Sequence, residues 1–187
     1  YEAADEVRRR FLIPLWNVYS FFVTYANIDK YDPFGPNPSL EERPELDRWI
    51  ISELNNLVAD TTESLENFAP DTATHAIEAF VEYLSNWYVR RSRRRFWKSD
   101  ADTDKLSAYA TLYECLVTVT KLLAPFIPFV TEAIYQNLMP QNKGGKESVH
   151  LDLYPQADTS RIVPHLSEAT RLAMRLSSIG RAARSKA

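Results

Sequence analysis

The 187-residue chain is 45% hydrophobic and 12% aromatic and carries a formal net charge of −3. That balance excludes a disordered segment and a uniformly basic nucleic-acid coat protein, so any site for a polyanion has to be a local patch. A single cysteine, Cys115, excludes a disulfide framework and a cysteine metal cluster, and His75, His150 and His165 lack ligand spacing.

Glycine is scarce, at 4 residues, which favours helices over sheet. The first helix is predicted from Ala3 to about Ile28, on the recurrence of Phe11, Leu12, Leu15, Tyr19, Phe22 and Ala26 at three- and four-residue steps. Pro14 inside it predicts a kink or a split. Pro33, Pro36, Pro38 and Pro44 mark Asp29 to Pro44 as a long irregular connection. A second helix opens at Pro44-Glu45 and ends near Glu66, with Leu46, Trp49, Ile50, Leu54, Leu57, Val58 and Leu65 inward. Asp71 is the expected N-cap of the third helix. Ser99 to Asp104 breaks that helix, and a fourth runs from about Lys105 to Leu123. After the corner Ala124 to Pro128, a fifth helix reaches Leu138. Pro140 to Pro155 reads as irregular, with an extended stretch at Val149 to Leu153. A last helix begins near Pro164, with Leu166, Ala169, Leu172, Ala173, Leu176 and Ile179 inward and Arg171, Arg175 and Arg181 outward.

The expected fold is all-α: an antiparallel bundle of four or five long helices over residues 1–139, with a C-terminal extension over 140–187. No signal sequence, lipidation motif or apolar run of membrane-spanning length is expected, which points to the cytoplasm. The chain opens and stops inside helical patterns, as a piece of a longer protein does.

The third helix carries the densest signal, Asn86-Trp87-Tyr88-Val89-Arg90-Arg91-Ser92-Arg93-Arg94-Arg95-Phe96-Trp97-Lys98. Five arginines and a lysine beside aromatic rings suit a polyanion whose bases can stack, which is RNA or DNA. At about 100° per residue, Ile77, Val81, Leu84, Tyr88, Arg91 and Arg95 share one side. The inward stripe thus turns basic after Tyr88, so either the helix outruns the bundle or Arg91 and Arg95 are buried against carboxylates. Trp87 and Tyr88 are expected in the core. Glu82, Asn86, Arg90, Arg93 and Trp97 form the opposite, open ridge. Two readings compete for it: a solvated basic helix end that complements the helix dipole, or phosphate binding by the arginines with stacking by Trp97.

The run Phe80 to Trp97 resembles the anticodon-binding domain of isoleucyl-tRNA synthetases. Leu15-Trp16-Asn17-Val18-Tyr19-Ser20-Phe21-Phe22 and the residues on to Asp29 are similar to the first bundle helix of that family. So are the corner Leu123-Ala124-Pro125-Phe126-Ile127-Pro128-Phe129, the segment Ser148 to Leu151 with Tyr154-Pro155, and Gly180-Arg181-Ala182-Ala183-Arg184. The resemblance covers nearly the whole chain, in order. It implies a domain that grips the anticodon stem and loop of an isoleucine-accepting tRNA, next to a catalytic domain of the same polypeptide. The methionyl branch offers a looser parallel, in which an Asn on the first helix and a Trp after the Asn-x-Tyr-Val element read the anticodon. Those roles fall here to Asn17 and Trp97.

Neither the His-Ile-Gly-His nor the Lys-Met-Ser-Lys-Ser signature of the catalytic domain occurs in the chain. No cofactor is therefore expected on it, ATP and Mg belonging to the parent's catalytic domain, and no catalysis. The expected tRNA-binding residues are Asn86, Arg90, Arg93, Arg94, Trp97 and Lys98, extended by Arg171 and Arg175 and by Asn17. A monomer without membrane contact is expected. The alternatives are the same domain of a valyl or leucyl enzyme, or a helical protein-interaction scaffold whose basic helix docks an acidic partner.

Overall fold

The computed structural model describes residues 2–100 and 102–185, and among these it contains helices and no strand. The first rod comprises α1 (Glu2–Val7), a π-helical turn (Arg8–Leu12) and α2 (Ile13–Asp29). Pro14 lacks an N–H and its ring crowds the carbonyl one turn back, so the ladder widens just before it instead of breaking. Then come α3 (Glu45–Glu66) and α4 (Pro70–Tyr83), followed by a second π-helical turn (Leu84–Val89) and α5 (Arg90–Phe96) as one rod. Next are α6 (Thr103–Leu123), α7 (Pro128–Leu138), three short 3-10 turns and α8 (Pro164–Arg184). Ala101, inside the expected helix break, lies outside the described residues.

The two rods run one way and α3 and α6 run back, so the ends of α2 and α5 meet the starts of α3 and α6. Phe96 packs edge-on against Phe21 and Tyr109, with centroids at 5.0 and 4.8 Å. Trp49, Ile50, Ile77, Leu84, Tyr88, Leu112 and Leu116 form the fully buried centre. Burying each such side chain is worth about 1.5–3 kcal/mol.

Five sequence expectations need correction. Asp71 caps nothing: Ala69 stands at the N-cap, because Pro70 pre-sets the first helical φ one residue earlier. Val149–Leu151 is a 3-10 turn, not extended chain. Glu132 pulls it in, accepting from Ser148 Oγ and Val149 N–H, both at 2.9 Å. The stretch Asp5–Asp29 is, by length and composition, apolar enough to cross a membrane, contrary to expectation; its α2 part puts Leu15, Val18, Tyr19 and Phe22 into the core.

The last two corrections concern helix faces. Leu172, Leu176 and Ile179 of α8 are 59–66% exposed. The rotation of α8 is set at its base, where Val163 N–H donates to Ser52 Oγ at 2.8 Å, Ser167 is buried and Leu166 and Met174 meet the core. In the second rod, the π-helical turn inserts extra chain into the helical repeat. Below it the inward stripe moves on by one position: Ser92 is buried where Arg91 was expected, and Arg95 and Phe96 share the next inward turn. Arg91 is left outside.

Candidate nucleic-acid interface

Arg95 is the arginine of the block that the fold uses. Its Nη1 and Nη2 donate to both carboxylate oxygens of the fully buried Asp47 at 2.6 Å, and Nη2 also donates to the Asp104 carbonyl at 2.8 Å. Asp104 Oδ1 stands 2.8 Å from Nε, a close charge contact without hydrogen-bond alignment. Tyr88 completes the cluster, its hydroxyl donating to Asp47 Oδ1 at 2.7 Å. Burial disfavours a charged Arg95, yet the bonds to Asp47 outweigh it and hold the guanidinium more firmly protonated than usual. Burial, together with the Asp47 charge, also pushes the Tyr88 hydroxyl well above its ordinary range.

The other four arginines of the block are exposed. Arg90, Arg91, Arg93 and Arg94 have no carboxylate partner among the described residues, in contrast to Arg43, Arg95 and Arg161. Arg91 sits over the Trp87 ring, its Cζ 3.6 Å from the centroid. Trp87 is half-buried and packs against the edge of the core, short of the full burial expected. Partial burial and the neighbouring charges of Arg90 and Arg181 lower the Arg91 pKa.

A cleft of about 550 Å³ opens here between the second rod and α8, lined by Glu82, Asn86, Trp87, Arg90, Arg91 and Arg181. It joins Asn86 and Arg90, both expected as site residues, to Arg91 and Arg181, which were not. Their inclusion depends on the π-helical turn and on the setting of α8, and neither feature has a signature in the spacing of apolar residues.

The remaining expected site residues separate into groups. Arg93 and Arg94 continue the exposed row along α5. Trp97 ends it, 56% exposed, and its Nε1 donates to the Tyr25 hydroxyl at 2.7 Å, which ties the ring to α2. Asn17 is exposed on α2, two turns before Tyr25, or roughly 12 Å along the axis. Lys98 is not free: its Nζ bonds Asp102 at 2.9 Å and Asp104 at 2.8 Å, which raise its pKa. Arg171 reaches Glu53 on α3 at 3.7 Å, while Arg175 is exposed without a carboxylate partner among the described residues. Among the described residues no three His, Cys, Asp or Glu side chains gather as a metal site. Cys115 is fully buried, and that burial pushes its thiol up, away from reactivity.

A family model for the anticodon-binding domain of tRNA ligase matches residues 47–187. The chain belongs to this family. The matched span holds the arginine row, the cleft and α8. Similar proteins include an isoleucine–tRNA ligase of Dehalococcoides mccartyi strain 195, 61% identical over 184 residues, which are 97% of this chain and 18% of the relative. The isoleucine–tRNA ligase of Thermus thermophilus is 48% identical over 183 residues, 97% of this chain and 17% of the relative. That of Clostridium acetobutylicum is 46% identical over the whole chain and 18% of the relative. The chain therefore spans less than a fifth of the length of these relatives. The fold is a helical bundle, and no strand occurs among the described residues.

Proposed function

We propose that this chain is the part of a cytoplasmic isoleucine–tRNA ligase that holds the anticodon stem and loop of its tRNA, and that it has no catalytic activity alone. The observation that carries the reading is the row Arg90, Arg93 and Arg94. These cations stand exposed and adjacent on one helix, without carboxylate partners among the described residues, in a chain that is acidic overall and pairs Arg43, Arg95 and Arg161 with carboxylates. Guanidiniums in such a row position RNA through phosphate oxygens. Trp97, held by Tyr25 with its face in solvent, supplies a platform for an unpaired base, as RNA loops offer. Asn17 and Arg175 extend the contact surface on α2 and α8. The relatives, all isoleucine–tRNA ligases, favour isoleucine over valine or leucine as the parent's amino acid. ATP and Mg are assigned to the catalytic domain of the same polypeptide.

The test is binding of purified isoleucine tRNA and an unrelated tRNA at a series of salt concentrations. Replacing Arg90, Arg93 and Arg94 with Ala should weaken binding and reduce the log–log salt slope by about one unit per lost phosphate contact. An unchanged slope in a folded triple variant, or equal affinity for any polyanion, would return the chain to the scaffold reading. Isoleucine-dependent ATP–pyrophosphate exchange should stay at background.

A further inference from the structure

The cleft between the second rod and α8 holds charge that the fold does not use. Eight arginines find carboxylates: Arg8, Arg9, Arg10, Arg43, Arg48, Arg95, Arg161 and Arg171. Arg90, Arg91 and Arg181 find none among the described residues, although they face one another across about 550 Å³ with Glu82 as the single acid in the lining. Gathering three guanidiniums around one acid costs free energy through repulsion; partial burial first, and then the charges of Arg90 and Arg181, lower the Arg91 pKa. An anion in the cleft relieves that cost.

The chemistry of the lining narrows the anion. Arg91 is held with its Cζ 3.6 Å from the Trp87 ring centroid and forms no ion pair among the described residues, and a guanidinium can offer two N–H groups to two oxygens of one anion. Asn86 adds a neutral amide donor. The lining has a net charge of +2 (three arginines and one glutamate), which suits a phosphate group. The cleft is open to solvent and sits at the start of the arginine row, so an RNA strand lying along α5 passes its mouth.

We propose that this cleft clamps one phosphodiester of the bound RNA between α5 and α8, through Arg90, Arg91 and Arg181. The inference rests on the RNA-binding reading above and adds to it two residues and a structural consequence. The clamp spans two elements, so occupancy ties the far half of α8 to the bundle.

Two variants of the chain test it, Arg91→Ala and Arg181→Ala, with Lys146→Ala as a charge-matched control outside the cleft. Binding to isoleucine tRNA is measured across salt, and amide hydrogen exchange is followed over residues 175–184 with and without tRNA. Each cleft variant should lower the log–log salt slope, by at most about one unit because the residues share one phosphate, and the control should not. Arg181→Lys, which keeps the charge, should recover most of the slope. Transfer RNA should slow exchange over 175–184 in the unmodified chain and fail to do so in Arg181→Ala. Tight binding by the unmodified chain with unchanged slopes in both folded variants would overturn the clamp and leave the RNA-binding reading standing. Absence of tRNA binding by the unmodified chain would overturn both. If Arg91→Ala does not fold, the exposed Arg181 decides the matter alone.

Discussion

Arg95 and Arg94 are adjacent in the chain, yet the Arg95 side chain is only 12% exposed on the carboxylate of Asp47, while Arg94 stands in solvent without a carboxylate partner among the described residues. The inner flank of α5 (Ser92, Arg95 and Phe96) closes the top of the core. The outer flank (Arg90, Arg91, Arg93 and Arg94) is exposed and meets no carboxylate among the described residues, with Arg91 resting on the Trp87 ring. One short helix thus contains cations whose partners are inside the fold and cations whose partners must come from elsewhere. Identical side chains take opposite roles because their angular positions differ by about 100°. Charge density alone does not separate the two kinds; a buried carboxylate within reach does.

The comparison breaks first at Asp47. Asp47→Ala leaves the Arg95 charge and the Tyr88 hydroxyl buried without their main acceptor, and should cost about 3–5 kcal/mol in urea unfolding. RNA affinity per folded molecule should change little. A stability loss under about 1 kcal/mol would mean that Arg95 swings out to solvent and belongs with the outer flank.

Trp97 stands at the boundary between the flanks. Trp97→Ala should lower tRNA affinity by about 1–3 kcal/mol, the worth of a stacked base. The hydrogen bond to Tyr25 is partly solvated, so the same change should lower unfolding stability by about 1 kcal/mol or less. The reverse pattern, a large stability loss with tRNA binding intact, would place Trp97 on the inner flank and leave the row without a base reader.

The smallest effect concerns Lys98, a cation of the outer surface that is nevertheless paired. The Lys98 ammonium, followed by the Lys105 backbone N–H, holds the exposed Asp102 carboxyl below its ordinary value of about 3.9. A depressed folded-state pKa adds stability that is present above the unfolded value and fades as pH falls through the folded one. A carbon-detected NMR titration should therefore find the Asp102 midpoint below about 3.9, and Lys98→Ala should move it upward. An Asp102 midpoint at or above the ordinary value would free Lys98 for RNA.

Much of this was legible in the sequence. The period of Leu46 to Leu65 marked out α3, and the corner at Pro125 and Pro128 separated α6 from α7, because regular helices repeat every 3.6 residues. The exposure of Asn86, Arg90, Arg93 and Trp97 also followed from the repeat. What failed to follow were departures from regularity. The π-helical turn at Leu84–Val89 contains no proline or glycine to announce it, and it moved Arg91 outward and Ser92 inward. In α8 the apolar stripe predicted one face, but anchors from α3 chose another. The pairing of Lys98 depends on Asp102 and Asp104 folding back beside it, a contact between residues that periodicity treats as a mere break. The tRNA contacts expected of Asn17, Arg171 and Arg175 were assigned from charge and resemblance. The structure gives Arg171 a carboxylate on α3 and leaves Asn17 and Arg175 in solvent.

The attachment of α8 has a mechanical side. Its packed portion ends near Met174, and Arg181 stands two turns further on, roughly 10 Å along the axis. The free portion acts as a pointer pivoting on that residue: a swing of about 10° carries its tip through nearly 2 Å, while a hydrogen bond tolerates only a few tenths of an ångström. Small changes in the angle at Met174 therefore set the aperture at which three guanidiniums meet, and side-chain volume at the pivot becomes a fine adjustment for a site it never touches.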